Sequence, residues 1–314
     1  MTLGNRFVAA LSESPFAGSL FRQDDTSGHF YFQSLGSGSS GNCSLLIYNE
    51  QALILDAGIG IRSFHARGTT LLNSPIKPMG MLITHDHGDH IRGAARIAQL
   101  LEVPIYSTPE VCRVLRHRSL ASKYDVTAYL REIQVDAPFR IGHFAIRAFD
   151  VPHDATRNVG YSISAEPGTF SLITDVGNVT QEIRKAIRRS NFLVFESNYD
   201  EQMLQEGRYT LLLKERIKGG DGHLSNAIAG QTLVEELHPG LKFIALCHLS
   251  GNNNTPELAL RSFSDCLVKG GIDALGLIRP DLGESGIENE NERPDRLCYT
   301  AIERNKVSPI FRLG

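Results

Sequence analysis

Between Thr84 and His90 the chain reads Thr-His-Asp-His-Gly-Asp-His, so His85, His87, Asp89 and His90 fall within six residues. Alternate side chains of an extended backbone point the same way. His85, His87 and Asp89 therefore share a side, and His90 joins them as the chain turns into a helix. Three imidazoles and a carboxylate are donors for zinc, and equally for manganese or iron, which accept mixed nitrogen and oxygen ligands. The alternative, a solvated His-rich turn, does not account for this spacing behind the apolar run Met79–Thr84.

One mononuclear centre does not use so many donors, which implies a second metal and further ligands downstream. Three residues stand next to strand-like runs. They are His153 in Val-Pro-His-Asp, Asp175 in Ile-Thr-Asp-Val-Gly, and His248 in Leu-Cys-His-Leu-Ser. Singly, each could be a core or loop residue. Together with the cluster they complete two coordination spheres. His29, His65, His117, His143 and His238 lack ligand spacing, and the Arg-rich stretch Arg184–Arg189 reads as the solvated face of a helix.

The elements that must position these residues are legible in outline. The runs Ser44–Tyr48 and Ala52–Leu55 form paired strands joined by Asn49-Glu50. Ahead of them, Gly36-Ser37-Gly38-Ser39-Ser40-Gly41-Asn42 is either a plain loop or a tight turn that brings backbone N–H groups to a ligand. Ile91–Leu101 has helical periodicity, Val103–Ser107 is a strand, and Pro109 stands where a helix begins. Further strands are expected at Phe144–Phe149, Val159–Ser164, Phe170–Thr174, Phe192–Glu196 and Phe243–Cys247. Thr180, Ser225 and Thr255 are expected helix caps. Residues 1 to about 28 read as a poorly ordered extension, and the acidic segment Gly283–Arg296 as a surface loop before a final short strand pair.

Bulk properties set limits. An apolar fraction of 41% in 314 residues allows a sizeable core, and a net charge of −3 gives no broad basic surface for non-specific nucleic-acid binding. Five scattered cysteines without a CxxC pair argue against a disulfide framework and for a reducing cytoplasm. No apolar stretch approaches the roughly 20 residues of a membrane helix, so no membrane association is expected.

The ordered set Asp56, 84–90, His153, Asp175 and His248 resembles the five motifs of the metallo-β-lactamase-fold hydrolase superfamily. More closely, it resembles the YycJ/WalJ-type hydrolases within that superfamily. The likeness is carried by Ser34–Asn42, Leu55-Asp56-Ala57-Gly58, Glu196-Ser197-Asn198-Tyr199-Asp200, Gly222-His223-Leu224-Ser225-Asn226, and His248-Leu249-Ser250 with Asn253-Asn254-Thr255-Pro256. It covers roughly residues 30 to 270.

The resemblance implies an α/β four-layer αββα sandwich, with residues 29–314 as a single hydrolase domain and metals at one edge between the sheets. It implies that His85, His87 and His153 hold one divalent ion (zinc, manganese or iron). Asp89, His90 and His248 would hold a second, Asp175 would bridge, and Asp56 would orient a ligand from behind. Asp89 and His223 are assigned to catalysis. His223 stands where related tRNA-processing nucleases carry a proton-donating histidine ahead of a helix. Ser39, Asn42, Asn253 and Asn254 are the candidate substrate contacts, with a loop-shaping role for the two later asparagines as the alternative.

The function implied is hydrolysis of a phosphodiester, with nucleic acid as substrate and exonuclease action on DNA as the member activity expected. Two alternatives stand beside it. One is a small-molecule phosphodiesterase or thioesterase, and the other is a non-catalytic metal-binding partner in signalling.

Overall fold

Apolar side chains run almost without interruption through Phe30–Gly36 (β1), Cys43–Tyr48 (β2) and Gln51–Leu55 (β3), and nearly all are buried. Strands of that composition need cover on both faces, and here they have it. In the computed structural model, which describes residues 28–121, 124–272 and 297–313, two sheets face each other and helices cover their outer sides.

In the first sheet β1 to β3 form an antiparallel meander. It is extended in parallel by Lys77–Leu82 (β4), Ile105–Ser107 (β5) and Leu130–Glu132 (β6). Outside it pack Ile61–Arg67 (α1), Thr69–Leu72 (α2), Gly88–Ile91 (α3), Ala94–Leu101 (α4) and Pro109–Leu120 (α5). The second sheet holds Phe139–Ile141 (β7), Phe144–Asp150 (β8), Val159–Ala165 (β9), Gly168–Ile173 (β10), Phe192–Glu196 (β11), Phe243–Cys247 (β12) and Cys298–Ala301 (β13) in sequential order. Its helices are Gln181–Arg189 (α6), Glu201–Glu206 (α7), Leu211–Lys218 (α8), Asn226–Glu235 (α9) and Pro256–Lys269 (α10).

Three apolar layers hold the four-layer αββα sandwich together. Phe30, Phe32, Leu46, Phe144, Phe170 and Phe192 fill the space between the sheets, with the Phe32 and Phe170 rings 5.3 Å apart. Ile54, Phe64 and Ile97 seal the first sheet to its helices, and Ile183, Phe195 and Phe263 seal the second. Each such side chain, fully buried, contributes about 1.5–3 kcal/mol. Thr108, Thr180, Ser225 and Thr255 each accept the backbone N–H three residues on, fixing where α5, α6, α9 and α10 start.

Strand direction decides where chemistry can occur. β3 and β4 run parallel, and so do β10, β11 and β12. β8 runs the same way as β10, since both are antiparallel to β9. The two sheets are tied where β4 ends. The Val159 N–H donates to Thr84 O (3.2 Å), and Tyr161 Oη donates to Ile83 O (2.7 Å). The carboxyl ends of β4 and β8 therefore meet at one edge, the place where open α/β sheets bind ligands.

Two sequence expectations need correction. The helix expected over 91–101 is two helices, because the Gly93 N–H leaves the helical ladder to donate to Ala57 O (2.7 Å). The final strands do not pair with each other. β13 lies parallel to β12 at the edge of the second sheet, and Phe311–Leu313 (β14) lies antiparallel to β1 at the edge of the first. Each covers an open edge that would otherwise present unpaired backbone groups. The expected N-terminal extension, up to residue 27, and the acidic segment 283–296 lie outside the described residues. The five cysteines form no disulfide with one another, and among the described residues no helix is long and apolar enough to cross a membrane.

Candidate metal centre and active site

β4 ends at Leu82, and the next residues carry the histidine cluster across the gap between the sheets. The loop after β3 holds that cluster in place. The Ala57 N–H donates to His90 O (2.8 Å), and Gly58 lies so close that a Cβ on it would sit 1.5 Å from Asp89 O. Only glycine fits there. Asp56, with φ 57°, turns its carboxylate back so that Oδ2 lies 2.8 Å from His90 Nδ1, while Oδ1 accepts from the Thr84 N–H (2.8 Å). Asp56 thus fixes the ring of His90 and the backbone leading to His85.

The second sheet supplies one residue per strand end. His153 follows β8 and directs Nδ1 to Gly222 O (3.0 Å). Asp175 follows β10 and His248 follows β12, both with φ 55°. Three non-glycine residues in the left-handed region, each just past a strand, represent strain of order 1–3 kcal/mol apiece. Strain of that kind persists where the surrounding structure imposes it.

The donors assemble into overlapping groups, within each of which the ligand atoms lie within 4.8 Å of one another: His85, His87 and His153; Asp89, His90 and His248; and His85, His90 and Asp175. Asp175 Oδ2 is 3.2 Å from His90 Nε2, and Asp175 Oδ1 is 3.7 Å from His153 Nε2, so its carboxylate reaches both triads. His85 Nε2 and His248 Nε2 are buried with no hydrogen-bond partner. An unsatisfied buried polar atom costs about 1–3 kcal/mol. Two of them facing carboxylates and further imidazoles form a donor set that fits divalent cations.

The electrostatics agree with that reading. Burial pushes His85 well below the ordinary histidine range. Burial also opposes charge on His90 and His248, but nearby carboxylates overcome it. Asp175 and Asp56 raise His90 well above its usual value, and Asp175, Asp89 and Glu196 raise His248 to about 10. Burial alone would raise the carboxyl of Asp175, yet the facing His248 and His90 hold it well below the usual range. Protons on these imidazoles balance the buried carboxylates, which is the electrostatic work a bound cation does.

Sequence reasoning overlooked Glu196 as a working residue. It ends β11, is fully buried, and divides its two oxygens. Oε1 lies 2.9 Å from both His223 Nδ1 and His248 Nδ1, and Oε2 accepts from the Val176 (2.8 Å) and Leu224 (3.1 Å) N–H groups. The signal was present, since a carboxylate closing an otherwise apolar buried strand must have partners. Burial opposes its ionisation, but the two histidines hold its pKa at about 2. Its first partner, His223, is partly open to solvent, with its ring centroid 5.0 Å from that of His153 and 5.3 Å from that of His248. Glu196 also outweighs the effect of burial on His223 and raises its pKa above the ordinary value.

The candidate substrate contacts separate. Ser39 is exposed on the 37–42 loop. Asn42 is buried, with Oδ1 accepting from the Gly38 N–H and Nδ2 2.8 Å from His90 Nε2, so it faces the metal-ligand cluster. Asn254 donates to Ser197 O, Asn198 O and Asn226 Oδ1 and accepts from Asn226 Nδ2 and the Thr255 N–H, which leaves nothing for a substrate. Asn253 is buried as well; its backbone carbonyl accepts from the Asp200 N–H, while both atoms of its side-chain amide are buried without a hydrogen-bond partner. Asn254 thus ties the loop after His248 to the ends of β11 and α9. The Arg184–Arg189 stretch is not free either, because Arg184 and Arg188 pair with Glu236.

Comparison with known proteins agrees with this geometry. The profile of the beta-lactamase superfamily domain matches residues 52–243. The exodeoxyribonuclease YycJ of Bacillus anthracis is 31% identical over 250 residues, which cover 77% of this chain and 90% of that protein. The exodeoxyribonuclease WalJ of Streptococcus pneumoniae is 30% identical over 230 residues, covering 73% and 85%. Among solved structures, the metallo-beta-lactamase fold protein YhfI from Bacillus subtilis superposes with a TM-score of 0.62 at 13% identity, over 91% of this chain and 100% of that one.

Proposed function

We propose exonucleolytic cleavage of DNA as the activity of this chain, which belongs to the beta-lactamase superfamily and its YycJ/WalJ-type branch and is a metal-dependent hydrolase. The observation that carries the reading is the pair of donor triads sharing Asp175, with the His223–Glu196 pair beside them. His85, His87 and His153 would hold one cation, and Asp89, His90 and His248 would hold the other. When bound, two such ions lower the pKa of water and stabilise the attacking and leaving oxygens of an in-line displacement.

The chain's own residues supply the rest. Asp175 keeps both triads in register, and Asp56 fixes the tautomer of His90 through Nδ1, as partners behind a ligand do. Asp89 lies at the open side of the site, its carboxylate one-fifth exposed, where it would face a bound phosphate. Glu196 holds the Nδ1 proton of His223, so that Nε2 is the atom that gives a proton to the departing alkoxide. Asn42 and Ser39 line the approach on the first-sheet side. Residues 29–314 act as one domain, a reading supported by β13 and β14, which return from the chain end to close opposite sheets.

The test is a panel in which metal-reconstituted protein meets double- and single-stranded DNA, RNA, bis(p-nitrophenyl) phosphate and an acyl thioester. Stepwise shortening of DNA is expected. Turnover of the thioester, with every diester left intact, would overturn the proposal.

A further inference from the structure

The Ser37–Asn42 loop and the loop after His248 pack together: Ser37 Oγ accepts from the His248 N–H (2.9 Å). A third segment, beyond the residues matched by the superfamily profile, lies across them both. Arg304 runs from the end of β13 over this seam, and its Nε donates to Ser40 Oγ (3.2 Å). Gly251 is the floor of its path, since a Cβ there would stand 1.3 Å from Arg304 Nη1. Gly38, with φ 85°, forms the wall, its virtual Cβ 3.3 Å from Arg304 Cγ. The guanidinium is thus seated in a slot built from two glycines. Arg92, two residues past His90 and exposed, reaches the same serine from the other side, donating from Nη1 to Ser40 O (3.3 Å).

Two guanidiniums converging on one serine repel each other. Among the described residues neither has a carboxylate within ion-pair distance, whereas Arg147, Arg157, Arg184, Arg188 and Arg216 each have one. An anion at Ser40 would relieve that repulsion, and a planar guanidinium fork matches the oxygens of a phosphate. The serine belongs to the loop whose Asn42 touches His90, so the anion would sit on the rim next to the metal-binding residues. We infer that Arg92 and Arg304 clamp a phosphate of the nucleic-acid strand adjacent to the one being cleaved. The pair would therefore set how the strand is threaded and how far the substrate must extend beyond the scissile bond. This inference rests on the nuclease reading above.

The experiment measures binding of metal-loaded protein to a cleavage-resistant phosphorothioate oligonucleotide across a salt series. It also determines KM and kcat on the cleavable strand. Arg304→Gln is expected to bind roughly tenfold more weakly, with the loss in KM rather than kcat. Its log-affinity against log-salt slope should be shallower by about one phosphate contact. Arg304→Lys should restore the slope but only part of the affinity, since it keeps the charge without the fork. Should Arg304→Gln lose metal or unfold, Arg92→Gln, on a separate loop, gives the same readout.

Strands ending in a hydroxyl and in a phosphate separate the two sources of the anion. An equal loss on both supports an internal diester, and a loss confined to the phosphorylated strand supports a clamp on the strand end. Wild-type affinity and slope in Arg304→Gln and Arg92→Gln overturn the clamp alone. A wild-type protein that neither binds nor cuts any strand overturns the nuclease reading, and the clamp with it.

Discussion

The two sheets build their halves of the site in different ways. The first concentrates its donors in one loop, 85–90 after β4, and backs them with one buried carboxylate, Asp56, which serves one ligand, His90. The second distributes its donors over three strand ends: His153 after β8, Asp175 after β10 and His248 after β12. Its buried carboxylate, Glu196, serves two imidazoles at once. A clustered half is set by local sequence, whereas a dispersed half depends on the register of parallel strands. The dispersed half should therefore propagate damage further.

The largest expected effect is at Asp175, which is in reach of both triads. Asp175→Ala should reduce metal content at both sites and abolish turnover, measured by elemental analysis beside a nuclease assay. A variant with wild-type metal and activity would break the comparison at its centre. Next is His223→Ala. It should keep its metal and retain most activity on a nitrophenyl diester, whose leaving group is already a stable anion. On a natural diester it should lose at least about a hundredfold. Equal losses on the two substrates would return His223 to a purely structural part.

Smaller effects sharpen the contrast between the two backing carboxylates. Partners of this kind are typically worth about 10–100-fold in metal affinity or activity. Glu196→Gln should fall at the upper end of that range, because it disturbs His223 and His248 together, and Asp56→Asn at the lower end. Metal titration followed by isothermal calorimetry gives the order, and the reverse order would contradict the two-for-one role of Glu196. The smallest expected effect is on stability. Thr180→Ala removes the side-chain cap of α6, which bonds the Ile183 N–H and no metal donor, and should cost about 1 kcal/mol in denaturant unfolding with activity intact.

What the sequence made legible follows the same division. His85, His87, Asp89 and His90 are readable because their spacing is local. The caps Thr180, Ser225 and Thr255 are readable because capping is decided by the next three residues. Glu196 is legible as the end of a strand and the start of a family motif but not as a partner of His223 and His248, which lie 27 and 52 positions away. The role of Asn254 was open for the same reason. Its four hydrogen-bond partners outside its own neighbourhood come from residues 197, 198 and 226. The misplacement of β13 and β14 has a related cause. Their proximity in sequence suggests a hairpin, but the edge each one covers is set by the completed sheets.

The central claim is that Asp175 joins two metal positions, each of which takes donors from both sheets. It is tested most directly by counting divalent ions in protein loaded to saturation and freed of excess metal, for wild type and for Asp175→Asn side by side. The account predicts two ions per chain in the wild type and a loss from both positions in the variant. A firm count of one ion in fully active wild-type protein would contradict it.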